Sequence, residues 1–331
     1  MGIVRVVGTV GAAVWLAGCF TTRAQLQEWA GANGGSGDSA GSASGDGSGS
    51  GGGTGDSGTP TDDPCDGGVI YGGSVEDTHL IDGMALSRVC PHTFDMGCTE
   101  DNTLEWCSDS QLPVTPVTLT HAFGIGTTEV TRRQMLAVTG SDPSLMGCEA
   151  DDCPAESVSW HGAADFTNRL SASAGYTECY ACSGDGESLE CAVAVAPTEC
   201  NGYRLPTEAE WEAAARCGTD TRYAGSNSWR LVGVYYADEQ PAEVASKEPN
   251  SCATWDMSGN ISEWTQDWAA YSLSGTAVTD PTGARTGDDR VLRGGDFSSD
   301  LVENLAVYSR SWMHPHHYYF PSGIRIARTL D

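Results

Sequence analysis

The chain has 331 residues, and its 45 Asp plus Glu against 17 Lys plus Arg leave a formal net charge of −28 at pH 7. So large an acidic excess repels phosphate backbones and anionic headgroups, which excludes nucleic acid and an anionic lipid surface as partners. What it permits is an acidic, soluble surface, with metal cations as the one functional addition.

Near the N-terminus, Arg5 precedes an apolar run from Val6 to Leu16 that closes on Leu16-Ala17-Gly18-Cys19. The run falls short of the ~20 residues a membrane-spanning helix needs, so residues 1–18 read as a signal peptide. The small residues before Cys19 form a lipobox, which predicts a lipidated Cys19 and a membrane link through that lipid. The plainer reading is a secretory signal that happens to contain a cysteine. Phe20 stands where an inner-membrane retention signal has Asp, so the expected address of the exported protein is the outer membrane or cell surface. Gly31 to Gly58 is almost wholly Gly, Ser, Ala, Asp and Thr. It lacks the apolar surface to offset its ordering entropy and reads as a tether, residues 19–64 forming a disordered linker. Residues 65–331 are long enough for a single domain with a sizeable core.

Within that domain Phe94 to Cys98 (FDMGC) and the alternating Val114 to Thr120 read as strands, with Pro116 arguing for an edge position. Thr131 and Gln134 have capping-box spacing and predict a short helix. Ser157-Val158-Ser159-Trp160 opens another, with Ser159 as N-cap and Trp160, Ala163, Phe166 and Leu170 on one apolar stripe. GYRLPTEAEWEAAAR, Gly202 to Arg216, predicts a third helix from Thr207. Glu210 completes a capping box, acidic residues fill the first turn where the dipole favours them, and Trp211, Ala214 and Ala215 form the buried face. WDMSGNISEW (Trp255 to Trp264), RVLRGGDFSS (Arg290 to Ser299) and SGIRIAR (Ser322 to Arg328) follow.

The chain has thirteen cysteines, and setting Cys19 aside for lipid leaves an even dozen, the parity of a disulfide framework in an oxidising compartment. Sequence alone leaves the pairing open. Short loops suggest Cys98 with Cys107 and Cys148 with Cys153. The compact insertion before GYRLP pairs most simply as Cys179 with Cys200 and Cys182 with Cys191. Cys179-x-x-Cys182 also has the form of a redox or zinc motif.

Taken in order, FDMGC, TTEVTRRQM, SVSWHGAADF, GYRLPTEAEWEAAAR, GNISEW, RVLRGGDF and SGIRIAR resemble the formylglycine-generating enzyme family, also called the sulfatase-modifying factor domain, across most of Phe94 to Arg328. The resemblance implies an α+β, C-type-lectin-like domain with little regular secondary structure, a trait the glycine-rich composition shares. Family members that oxidise a sulfatase cysteine to formylglycine hold copper(I) on two cysteines just after an Arg-Gly-Gly-Ser strand. Aligned on Arg293-Gly294-Gly295, those positions fall at about Ser299 and Asn304, and no cysteine follows Cys252. A hydroxyl and an amide cannot replace soft thiolates, so neither copper nor that oxidase activity is expected. A related branch, the ergothioneine-type sulfoxide synthases, adds an iron-binding helical bundle where this chain has only its tether. Pyoverdine-maturation relatives keep the lone domain, which leaves another metal or redox role open.

By the same resemblance Gly-Asn-x-x-Glu-Trp implies a structural calcium site, with side-chain oxygens of Asn260 and Glu263 and carbonyls around Ile261. Alternatively Asn260 and Glu263 satisfy backbone amides while Trp264 fills the core, with Asp256 capping the turn. Arg293 and Arg325 resemble buried family arginines that pair with carboxylates such as Glu210 or Glu263. His314, His316 and His317 could present imidazoles to a transition metal, or merely belong to an aromatic loop. Trp268 and Tyr271 lie where related domains build a groove, or serve the core. The expectation is an envelope lipoprotein whose domain binds a protein or glycan rather than catalysing. The alternative is an oxidase, or an iron or copper enzyme of the same family, using other ligands.

Overall fold

Helix initiation in this chain is decided by side chains that accept the otherwise unpaired amides of the first turn. The computed structural model describes residues 63–99, 107–235, 240–318 and 320–330. The expected signal peptide, the expected lipidation site Cys19 and the expected linker through residue 62 lie outside them. Helix α1 (Arg132–Thr139) starts from a capping box, Gln134 Oε1 accepting from the Thr131 amide at 3.0 Å, and ends at Gly140 in the left-handed region. Helix α2 (Trp160–Ala174) starts where Ser159 Oγ accepts from the Gly162 amide at 3.0 Å. Its stripe of Trp160, Ala163, Phe166 and Leu170 is fully buried. Helix α3 (Glu208–Arg216) is capped by Thr207 Oγ1, with Glu210 Oε2 returning to the Thr207 amide at 2.8 Å.

Among the described residues the strands form four small sheets. A five-stranded antiparallel sheet runs β1 (Tyr71–Val75), β2 (Leu86–Val89), β5 (Phe123–Gly126), β14 (Ala327–Thr329) and β8 (Tyr203–Arg204). A four-stranded sheet runs β12 (Arg310–Met313), β11 (Arg290–Arg293), β9 (Ser262–Trp268) and β13 (Ser322–Gly323). SGIRIAR therefore serves two sheets, pairing with β9 at its start and with β5 and β8 at its end. A three-stranded sheet runs β10 (Val278–Thr279), β4 (Thr115–Leu119) and β3 (His92–Met96). The edge position expected from Pro116 needs correction, because β4 is the central strand. Pro116 is tolerated since β10 pairs only with Val117 and Thr118, leaving the proline exposed beyond it. The insertion before GYRLP is a two-stranded hairpin, β6 (Tyr180–Ser183) with β7 (Glu190–Val193), packed on α2.

Helix α3 departs most from its sequence reading. Instead of one buried face, all nine residues are buried, the three glutamates included. Each glutamate meets an arginine from elsewhere. Glu210 makes a two-pronged pair with Arg204 of β8, both contacts at 2.7 Å. Glu212 receives Arg293 of β11 at 2.5 Å and Arg216 at 2.8 Å. Glu208 receives Arg310 of β12 through Nε and Nη2. Burial by itself pushes Glu210 upward. Arg204, with donors from His121 and Thr207, outweighs it and holds the carboxyl well below the ordinary range.

Six disulfides join Cys65 to Cys90, Cys98 to Cys107, Cys148 to Cys153, Cys179 to Cys200, Cys182 to Cys191 and Cys217 to Cys252. The Cys179-x-x-Cys182 pair is thus split between two different bridges within the insertion. Alkylation of the oxidised protein followed by mass spectrometry should find none of these twelve cysteines labelled, and all twelve labelled after reduction. Ready labelling of Cys179 and Cys182 without reductant would contradict the framework.

Candidate functional site

Beyond β11 the chain turns through Gly294 and Gly295, at φ +89° and +66°. A β-carbon at Gly295 would lie 2.5 Å from the Asn304 carbonyl, so glycine alone lets this turn close against the 3-10 turn Val302–Leu305. The closure brings Ser299 and Asn304 to one cleft of about 150 Å³, together with Ser262, Asp296, Ser309 and Arg310. Asp296 is the residue the sequence reading passed over. It stands where the family strand carries serine, and it is 3% exposed. Its Oδ1 accepts from the Ser298 amide at 2.9 Å and hydroxyl at 2.7 Å, its Oδ2 accepts from Ser262 Oγ at 3.2 Å, and its amide donates to Ser299 Oγ at 3.1 Å. Burial raises the Asp296 carboxyl, only partly countered by these serine donors. The cleft is a small, hydroxyl-rich cup around one carboxylate, with no thiol in its lining.

At the turn expected to hold calcium the side chains make protein hydrogen bonds. Asn260 donates through Nδ2 to Glu129 at 2.7 Å and accepts through Oδ1 from the Ala242 amide at 2.9 Å. The Ile261 amide donates to Glu129 Oε1 at 3.1 Å. Glu263 spends both oxygens on Arg325, at 2.6 and 2.8 Å, and on the Trp211 indole at 2.6 Å. The side-chain oxygens assigned to calcium therefore already have protein donors. Asp256 accepts from the Ala245 amide at 2.6 Å, and burial lifts its carboxyl to about 6.

Arg325 pairs with Glu263 as expected. Arg293 does not reach Glu210 or Glu263, because Glu210 is taken by Arg204, and Glu212, two residues further along α3, faces β11. The indoles of the fully buried Trp211 and Trp264 donate to Glu263 and to the Val158 carbonyl. Trp268 stacks on Arg290 at 3.5 Å, with Trp160 against the same guanidinium at 3.7 Å, so its role is architectural. Tyr271 is 58% exposed and packs on Trp312.

The three clustered histidines do not converge as one set. His314 stacks on His316 with ring centroids 5.5 Å apart, and His317 lies 5.9 Å from His314. His316 turns instead toward His161 of α2 and Glu190 of β7. Its Nε2 lies 3.0 Å from Glu190 Oε1, and His161 Nε2 lies 3.4 Å from Glu190 Oε2. Nothing in the sequence singles out His161 or Glu190, since only the hairpin and the loop after β12 bring the three together.

A second cleft, of about 320 Å³, is lined by Glu208, Asp267 and Arg310. Asp267 accepts from the Glu208 amide at 2.9 Å, and burial, then the nearby Glu208 carboxylate, pushes it up to about 8. An acid whose folded-state pKa is raised favours the folded state at low pH and disfavours it progressively up to that pKa. Asp267→Asn should therefore stabilise the protein by an amount that grows at most by about 1.4 kcal/mol per pH unit between pH 4 and 8 and is flat above. Urea titrations across that range check this, and a gain independent of pH would contradict it.

Residues 80–330 match the sulfatase-modifying factor enzyme 1-like domain. The chain is 31% identical over 180 residues to "Chaperone protein LppX" of Paenibacillus barcinonensis, covering 45% of this chain and 63% of that protein. It is 39% identical over 150 residues to a formylglycine-generating enzyme of Streptomyces coelicolor, covering 39% of this chain and 48% of the enzyme. The chain thus spans less than two thirds of either relative. Among solved structures, Treponema denticola variable protein 1 is similar with a TM-score of 0.64 and 28% identity, covering 75% of this chain and 95% of that one. PvdO from Pseudomonas aeruginosa shares the fold with a TM-score of 0.61 at 20% identity, covering 76% of this chain and 97% of that one. With more than half its length matched and a glycine turn, arginine strand and capped helix in the family order, this chain belongs to the sulfatase-modifying factor, or formylglycine-generating enzyme, family.

Proposed function

We propose that this protein is an exported, lipid-anchored envelope module that binds a protein or glycan through its family domain and does not act as a copper-dependent formylglycine-generating oxidase. The observation that carries this reading is the donor set of the cleft after β11. Ser262, Ser299, Asn304 and Asp296 present hydroxyl, amide and carboxylate oxygen, whereas copper(I) is held by soft sulfur. The twelve cysteines from Cys65 to Cys252 are consumed as six disulfides, so none supplies a thiolate in their place. The relative named as a chaperone protein supports a role in handling another polypeptide. Membrane attachment is assigned to Cys19, and any calcium at the Asn260 turn is structural.

The test combines chemistry and address. The purified protein, given copper(I) and a peptide carrying a sulfatase-type cysteine motif, should neither bind copper stoichiometrically nor convert the cysteine to an aldehyde. In cells Cys19→Ala should move the protein from the membrane to the soluble fraction. One equivalent of tightly held copper(I) with turnover would overturn the first part, and an anchored Cys19→Ala variant the second.

A further inference from the structure

We propose that His161, Glu190 and His316 form a binding site for one divalent transition-metal ion, a donor set that zinc(II) fits. The three residues come from separate elements, α2, the disulfide-bridged hairpin and the loop after β12, and their ligand atoms all lie within 4.8 Å of one another. The Glu190 carboxylate reaches both imidazoles, 3.4 Å from His161 Nε2 and 3.0 Å from His316 Nε2, and the two ring centroids lie 4.4 Å apart. Ligands of a tetrahedral zinc ion at bond lengths near 2.0–2.1 Å stand about 3.3 Å apart, so both spacings fit an ion seated among them.

The second observation is an unpartnered nitrogen. His161 is 5% exposed, and its Nε2, directed at this cluster, is buried without a hydrogen-bond partner. Leaving such an atom bare is costly, and a cation held jointly with Glu190 and His316 would supply its missing partner. Two imidazoles and one carboxylate form a borderline set. It lacks the thiolates that favour copper(I) and the many oxygens that calcium requires.

The scaffold around the set is rigid. Cys182–Cys191 crosses the hairpin and Cys179–Cys200 ties its base, fixing the strand that carries Glu190. The Cys191 amide donates to His161 Nδ1 at 3.0 Å, a bond that has to break for Nε2 to take a metal. In the metal-free chain that bond places the neutral ring's single proton on Nε2. Metal capture shifts this proton to Nδ1, with no change of oxidation state, and the Cys191 amide gives up its acceptor. That exchange leaves a signature at an amide which is not itself a ligand. Glu190 is 61% exposed and His316 38%, so a water molecule can complete the shell from solvent.

This site is separate from the cleft at Ser299 and Asn304, so either proposal can fail without the other. The experiment is calorimetric titration of zinc(II) into the chelator-treated full-length protein. One ion per chain should bind, and His161→Ala, Glu190→Gln and His316→Ala should each weaken it by roughly tenfold or more. His314→Ala and His317→Ala should leave the affinity within about threefold. Glu190 is 61% exposed, so Glu190→Gln tests the site without disturbing the core, and an unchanged melting temperature verifies this. The Cys191 amide resonance should move on zinc addition. Absence of saturable zinc binding, an affinity unmoved by Glu190→Gln and His316→Ala, or a still Cys191 amide would overturn the proposal.

Discussion

The constraint on which this structure depends is the burial of three glutamates on one nine-residue helix. A carboxylate withdrawn from water is tolerated only when a cation meets it with good geometry, and α3 sets that requirement three times, at Glu208, Glu210 and Glu212. Arg310, Arg204 and Arg293 satisfy it, the first and last from strands 102 and 81 residues away and Arg204 from the short strand just before the helix. With so little regular structure in the domain, these pairs do much of what long sheets do elsewhere, fixing which strand lies beside which. Glu263 and Arg325 repeat the device between β9 and the closing segment, and the Trp211 indole links that pair to α3.

This frame explains how a family fold persists where the family's best-known chemistry has no thiols. Arg293 is locked from below by Glu212 and by the carbonyls of Val307 and Ser309, and the chain leaving it must turn through Gly294 and Gly295 toward Asn304. The cleft is therefore shaped by α3 whether its lining carries sulfur or oxygen. Asp296, Ser299 and Asn304 occupy a ready-made cup, and their own hydrogen bonds fill part of it.

What could be read from the sequence follows the range of the interaction. Caps act over three residues, so Thr131, Ser159 and Thr207 announced their helices, and the apolar stripe from Trp160 to Leu170 gave the buried face of α2. The glutamates of α3 read as capping and dipole-facing charge, because the partners of Glu208 and Glu212 lie 102 and 81 residues away and only Arg204, six residues before Glu210, is local. Pro116 suggested an edge strand, since a two-residue neighbour such as β10 leaves no trace in the pattern of β4. His316 was visible as a candidate ligand. Its companions were not, because His161 and Glu190 approach it only through the hairpin insertion. Asp296 was legible as a departure from the family's serine, but its burial was not.

The most direct test of the frame is a double-mutant cycle on Arg293 and Glu212, read by urea unfolding. Arg293→Met and Glu212→Met should each cost about 3–5 kcal/mol by stranding a buried charge. The double variant should cost less than the sum by about 2–3 kcal/mol, because it strands neither member of the pair. Costs that add within about 0.5 kcal/mol would show that the two residues act independently, and would contradict the claim that buried ion pairs on α3 organise this domain.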